Sequence, residues 1–172
     1  MDLETKRLII RPLEVGDLED YIRIHNDPFV LKYSAMVETN RERALAYLSK
    51  QLETELALEE KASGKVIGVI CLEEDSLRWG VESIEFAYFL GQPYARRGYM
   101  KEALGAVIGE IFRQGKADSV CARCFLPNIA SQRLLESLGF HRDGVIRRCV
   151  KGYGGVIYDD VIYSLLREEF CG

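Results

Sequence analysis

Hydrophobic and polar positions along this chain follow two periods, one near 2 and one near 3.6. Leu8-Ile9-Ile10 reads as a first strand closed by Pro12. From Asp17, a good N-cap type, Leu18, Tyr21, Ile22 and His25 recur at helical spacing, and Asn26-Asp27-Pro28 ends the run. His25 reads as a helix-end or surface residue rather than a catalytic base. Residues 29–37 are irregular; Phe29, Tyr33 and Met36 are expected either as core under a loop or as walls of an acceptor pocket. Thr39-x-x-Glu42 has the form of a capping box, followed by Leu45, Leu48, Leu52 and Leu56 at helical spacing. Glu55 to Glu60 and Lys65 to Leu72 are strand-like runs joined by Lys61-Ala62-Ser63-Gly64, a hairpin signal. Asp75 to Gly80 is a loop, in which Trp79 has no assigned role. Asp118 to Phe125 is a further strand, and Phe140 to Val150 and Val156 to Leu166 read as the last two.

The densest stretch is EFAYFLGQPYARRGYMKEALGAVIGE, Glu85 to Glu110. Phe86, Tyr88, Phe89 and Leu90 favour a strand, and Gly91, Gln92 and Pro93 break it. Ala103, Leu104, Val107, Ile108 and Ile111 then fall on one face of an amphipathic helix. Gly98 has no Cβ, so a ligand can approach the backbone there. The first amides of a helix have no internal partner and its dipole favours anions. With Arg96 and Arg97 beside them, these groups suit a phosphate or pyrophosphate. The same residues also suit an ordinary strand–helix turn with solvated arginines. Further on, Asn128 is a good N-cap for a helix carrying Ala130, Leu134, Leu135 and Leu138, with Gly139 as its stop. Lys151-Gly152-Tyr153-Gly154-Gly155 has Ile157 where a dinucleotide fingerprint needs its last glycine, so a hairpin turn is expected there.

Composition narrows the classes. The chain has 172 residues, 48% hydrophobic and 29% charged, with a net charge of −4; that is the profile of one globular domain spanning residues 1–172. The acidic balance argues against nucleic acid as a main partner. The longest apolar run, Val66 to Leu72, is far short of a membrane span, and Met1 to Arg11 does not read as a signal peptide. Five cysteines (Cys71, Cys121, Cys124, Cys149 and Cys171) suggest reduced thiols in a cytoplasm. Cys121 and Cys124 form a C-x-x-C, but on a strand they face opposite ways, so buried thiols are expected and no metal site.

YARRGYMKEA is similar to the acetyl-CoA signature of the GNAT N-acetyltransferases, and in particular of their RimJ/RimL-type branch. The family pattern Q/R-x-x-G-x-G/A falls on Ala95, Arg96, Arg97, Gly98, Tyr99 and Met100, matching strictly at Gly98, with Ala95 and Met100 as departures. NIASQRLLESLGF resembles the segment that flanks the pantetheine arm of coenzyme A. ETKRLIIRPLEVGD, GKVIGVICL, IEFAYFL and YDDVIYSLLREE resemble further family segments, in family order. The resemblance implies a mixed α/β (α+β) fold: a mostly antiparallel twisted sheet of about six to seven strands, flanked by about four helices, with central strands splayed around the cofactor.

It also implies an acetyl-CoA-dependent N-acetyltransferase acting on a primary amine, of a small molecule or a protein N-terminus, as a monomer or homodimer. By the family match, backbone groups of Phe89 and Leu90 pair with pantetheine, and Arg96, Arg97, Gly98, Tyr99 and Met100 hold the pyrophosphate. Asn128 bonds the cofactor, and Ser131 lies near its sulfur. Many members carry a proton-donating tyrosine seven residues after that asparagine; Leu135 stands there, which leaves Ser131 to assist the thiolate. Attack needs a neutral amine, whereas a lysine-type ammonium has a pKa of about 10.4, so a base is useful. Glu85 is the candidate, with Glu73, Glu74 and Glu82 as rivals and a solvated strand-edge role as the alternative. Tyr88 and Tyr94 are further proton donors or simply packing residues. An acyl-CoA-binding module without catalysis is the competing reading; a P-loop nucleotide enzyme lacks its motif.

Overall fold

The computed structural model describes residues 1–50 and 53–170. Among these residues eight strands form one sheet: β1 (Leu3–Glu4), β2 (Leu8–Pro12), β3 (Glu55–Glu60), β4 (Lys65–Glu74), β5 (Ser83–Leu90), β6 (Ser119–Phe125), β7 (His141–Lys151) and β8 (Ile157–Leu166). Their order is β1-β2-β3-β4-β5-β6-β8-β7, antiparallel except for the parallel pair β5–β6. Five helices accompany them: α1 (Leu18–His25), α2 (Pro28–Leu31), α3 (Arg41–Leu48), α4 (Tyr99–Arg113) and α5 (Ile129–Ser137). The mixed α/β class is as expected, with more elements than the sequence pattern suggested. The additions are too short to carry a period, a two-residue β1 and a four-residue α2.

The sheet is covered on both faces. On one lies α4, whose Ala103, Leu104, Val107, Ile108 and Ile111 are at most 1% exposed and pack on Leu58, Ile70, Phe86 and Val120. Burying each such aliphatic side chain is worth about 1.5–3 kcal/mol. On the other face, Tyr21 and Ile24 of α1 and Ala44 and Leu48 of α3 pack on Ala57, Val66, Val69 and Cys71. Double coverage explains why Val66 to Cys71 is buried without alternation.

Several local readings change. Asp17 stands at the N-cap position of α1, but its carboxylate accepts from the Glu14 amide and from both terminal nitrogens of Arg11 (2.8 and 2.9 Å), not from the helix. Ile24 takes the buried place expected of Ile22. The cap of α3 is Asn40, which accepts from the Arg43 amide, while the Thr39 amide donates to Asn26. In α3, Ala44 and Leu48 face inward and Leu45 is exposed; Leu56 belongs to β3. Leu52 and Cys171 lie outside the described residues. In α5, Leu135 and Gln132 are buried and Ala130 is exposed. Trp79 stands almost wholly in solvent.

Candidate active site

The sheet opens at its middle. β5 and β6 pair only from Ser83↔Ser119 to Phe86↔Ala122. Beyond that point β5 continues to Leu90 with β4 on one side and, among the described residues, no strand on the other. Antiparallel partners alternate between bonded and non-bonded pairs. The Gly91 amide donates to the Ile67 carbonyl, so Phe89, Ala87 and Glu85 bond to β4. The amides and carbonyls of Tyr88 and Leu90 therefore face the gap. This corrects one expectation: the open edge belongs to Tyr88 and Leu90, because the backbone of Phe89 is committed to the β4 ladder.

At the far end of β5 the chain turns into α4. Arg96 has φ 60° and Gly98 φ +79°, both left-handed. Gly98 is the N-cap residue, without a side-chain cap, so the amides of Tyr99, Met100 and Lys101 are unpartnered within the helix. Arg7 braces this turn. Its Nη1 donates to the Arg97 carbonyl (2.8 Å), its Nε to Glu102 (2.6 Å), and its guanidinium lies 4.1 Å over the Tyr99 ring. The Tyr99 hydroxyl in turn donates to Glu60. The Arg97 guanidinium stacks over the same ring at 5.4 Å, outside the cleft, whereas Arg96 lines it.

The third wall is the start of α5. Asn128 caps it, accepting from the Ser131 amide at 3.3 Å. The Ser131 hydroxyl lies 2.6 Å from the Tyr88 hydroxyl across the gap. Burial pushes the Tyr88 phenol well above its ordinary value, so it stays protonated. Burial likewise pushes the neighbouring Cys124 thiol up to about 11. Tyr88 is thus joined to Ser131, a pairing that sequence alone does not signal because the two are 43 positions apart.

These elements line one continuous cleft of about 1280 Å³. Phe89, Leu90, Arg96, Gly98, Tyr99, Met100, Asn128 and Ser131 all reach it. Glu85 does not. It is buried, and one carboxylate oxygen accepts from Arg123 Nε at 2.7 Å. With its carboxylate engaged by Arg123 and out of the cleft, Glu85 is poorly placed to meet an incoming amine, which counts against it as the base. Glu73, its partner across β4–β5, does line the cleft. Burial, then the nearby Glu85 and Glu55, raises the Glu73 carboxyl above its usual range.

Beyond Glu73 the cleft runs under α1 and α3. Tyr21 stacks on Tyr47 (ring centroids 5.8 Å), and His25 sits between Tyr21 and Phe89. His25 does end α1 as read, but it is buried rather than at the surface, and burial lowers its pKa. Phe29, Tyr33 and Met36 also line the cleft.

Asp75, Glu85 and Cys121 bring ligand atoms within 4.8 Å of one another. Their capacity is already used: Asp75 accepts from Ser83, from Arg78 and from the Leu77 amide, and Glu85 from Arg123. Burial opposes ionisation of Asp75, yet these donors hold it well below the usual carboxylate range. Cys71, Cys121 and Cys124 are buried, and burial raises all three thiols.

Residues 7–141 match the model of the acetyltransferase (GNAT) domain. The probable N-acetyltransferase YjcK of Bacillus subtilis (strain 168) is 28% identical over 179 residues, covering 97% of this chain and 98% of that protein. The crystal structure of a GNAT-family acetyltransferase from Bacillus anthracis superposes with a TM-score of 0.88 at 25% identity, covering 98% of this chain and all of that one. The microcin C7 self-immunity acetyltransferase MccE, solved with acetyl-CoA and AMP, has the same fold: TM-score 0.79, 20% identity, 94% and 93% of the two chains. With the family model covering most of the chain and the open strand edge in place, the protein belongs to the GNAT acetyltransferases and is an acetyl-transferring enzyme.

Proposed function

We propose that the protein uses acetyl-CoA to acetylate a primary amine, of a small molecule or a protein N-terminus, within a single domain in the cytoplasm. The motifs NIASQRLLESLGF and YDDVIYSLLREE support placement in the RimJ/RimL-type branch. One observation carries the reading: an unpaired strand edge at Tyr88 and Leu90 leads from the free amides of α4 to the hydroxyl of Ser131.

The residues present fit the donor. Backbone donors at Tyr99, Met100 and Lys101 suit a diphosphate, and Arg96 adds charge. The Tyr88 and Leu90 edge suits the amides of a pantetheine arm, as an added strand would. Acetyl-CoA supplies an activated acetyl thioester; the chain supplies position and proton management. An amide on the open edge donates to the carbonyl oxygen as charge develops there. Ser131, with its hydroxyl oriented by Tyr88, donates to the departing sulfur. The experiment is calorimetric titration with coenzyme A, alongside an acetyl-transfer assay on a panel of amines. Binding that is lost in Gly98→Asp, with transfer to at least one amine, is expected. Equal binding by Gly98→Asp contradicts the placement of the diphosphate.

A further inference from the structure

The part of the cleft beyond the donor edge has a chemistry of its own. β3, β4 and β5 lie in register with Glu55↔Cys71↔Ala87 and Glu73↔Glu85. Cross-strand partners share a sheet face, so Glu55, Ala87, Glu73 and Glu85 all lie on the face toward α1 and α3. Ala87 is exposed and forms the floor. The cation Arg123, reaching in from β6, is spent on Glu85. Glu55 accepts from the Cys71 thiol at 2.9 Å, and Tyr47 lines the cleft with it. Among the described residues Glu73 has no ion-pair or hydrogen-bonding partner. The opposite wall is aromatic: Tyr21, Tyr47 and Phe89. With Arg123 neutralised by Glu85, Glu55 and Glu73 lie beside the stacked rings of Tyr21 and Tyr47, an environment for a cation with an apolar body; Arg43 of α3 lines the same cleft.

Building on the acetyltransferase reading, we propose that this pocket selects primary amines that arrive as ammonium ions on an apolar or aromatic stem and carry no carboxylate beside the amine. Glu55 and Glu73 hold the ammonium, and Glu73 takes its proton. A free α-amino acid is rejected because its own carboxylate, one carbon from the held amine, would be set against Glu55 and Glu73. In the balanced step the ammonium gives one proton to Glu73, its nitrogen adds to the acetyl carbonyl to form the C–N bond, the C–S bond then breaks as the carbonyl re-forms, and the nitrogen loses a second proton. One of the two ends on the sulfur and the other passes to solvent. The groups coupled to Glu73 are Glu85 on β5, Glu55 on β3, Arg123 on β6 and Cys71 on its own strand, and Tyr21 and His25 of α1 and Arg43 and Tyr47 of α3 line the same cleft. The carboxyl of Glu73, raised first by burial and then by Glu85 and Glu55, fits a base.

The test compares 2-phenylethylamine with phenylalanine as acceptors and measures amine binding to the protein by calorimetry without any acyl donor. Expected are a kcat/KM at least ten-fold higher for 2-phenylethylamine, and donor-free binding of that amine weakened about ten-fold in E55Q and E73Q. In E73Q, kcat should fall at least ten-fold, with loss of the acidic limb of its pH profile and unchanged affinity for coenzyme A. Equal use of phenylalanine, or an E73Q enzyme with full kcat and the wild-type profile, overturns the proposal while leaving acetyl transfer intact. Failure of the wild type to bind coenzyme A overturns both readings.

Discussion

At the scale of single residues, the site turns on pairings that sequence spacing does not reveal. Ser131 is legible as a candidate because it follows an N-cap asparagine, but its partner Tyr88 comes from another element. Ser131→Ala is expected to lower kcat about ten-fold or more while affinity for coenzyme A is unchanged, and Tyr88→Phe to do so more mildly; single-turnover kinetics with calorimetry checks both. Glu85 illustrates the opposite error. Its type and place suggest a base, yet the parallel β5–β6 pair brings Arg123 against it, and its partner across the ladder, Glu73, is the one of the two that reaches the cleft. A helical period likewise cannot tell a surface histidine from a buried one. Because burial lowers the folded pKa of His25, the folded state binds fewer protons there than the unfolded chain. The resulting stability is fully present above the unfolded value of about 6.5 and is lost as pH falls from there through the folded value. His25→Gln should flatten thermal stability between pH 7 and pH 5 relative to the wild type, as read by melting curves.

At the scale of elements, the long periodic segments were legible and the short ones were not. The face of α4 carries its inward residues at i, i+3 and i+4, and all five read from the pattern are buried. Ile108→Ala should therefore cost about 2–5 kcal/mol in chemical denaturation. The turn before α4 was legible through Gly98, whose φ of +79° an L-residue adopts at a cost of about 1–2 kcal/mol. A Cβ there would sit 3.4 Å from Arg7 Nη2. Gly98→Ala should thus lose roughly that stability and also weaken coenzyme A binding; unchanged values in both would remove the turn from the account. By contrast β1 and α2 carry no period, and the cap of α3 slid by one residue because Asn40 and Thr39 are both good cap types.

At the scale of the whole molecule, the parallel pair in an otherwise antiparallel sheet creates the site. Periodicity gives strands and helices but not their order, so the gap between β5 and β6 came into view only through family resemblance and then through register. Two walls meet at that gap, helix amides at one end and carboxylates with aromatic rings at the other. The claim on which the rest depends is that coenzyme A fills it, and a crystal structure with coenzyme A tests this most directly. The account predicts the diphosphate within hydrogen-bonding distance of the Tyr99, Met100 and Lys101 amides, the pantetheine along Tyr88 and Leu90, and the sulfur beside Ser131. A cofactor bound on another face, or a gap closed by side chains with β5 and β6 zipped together past Phe86, would contradict it.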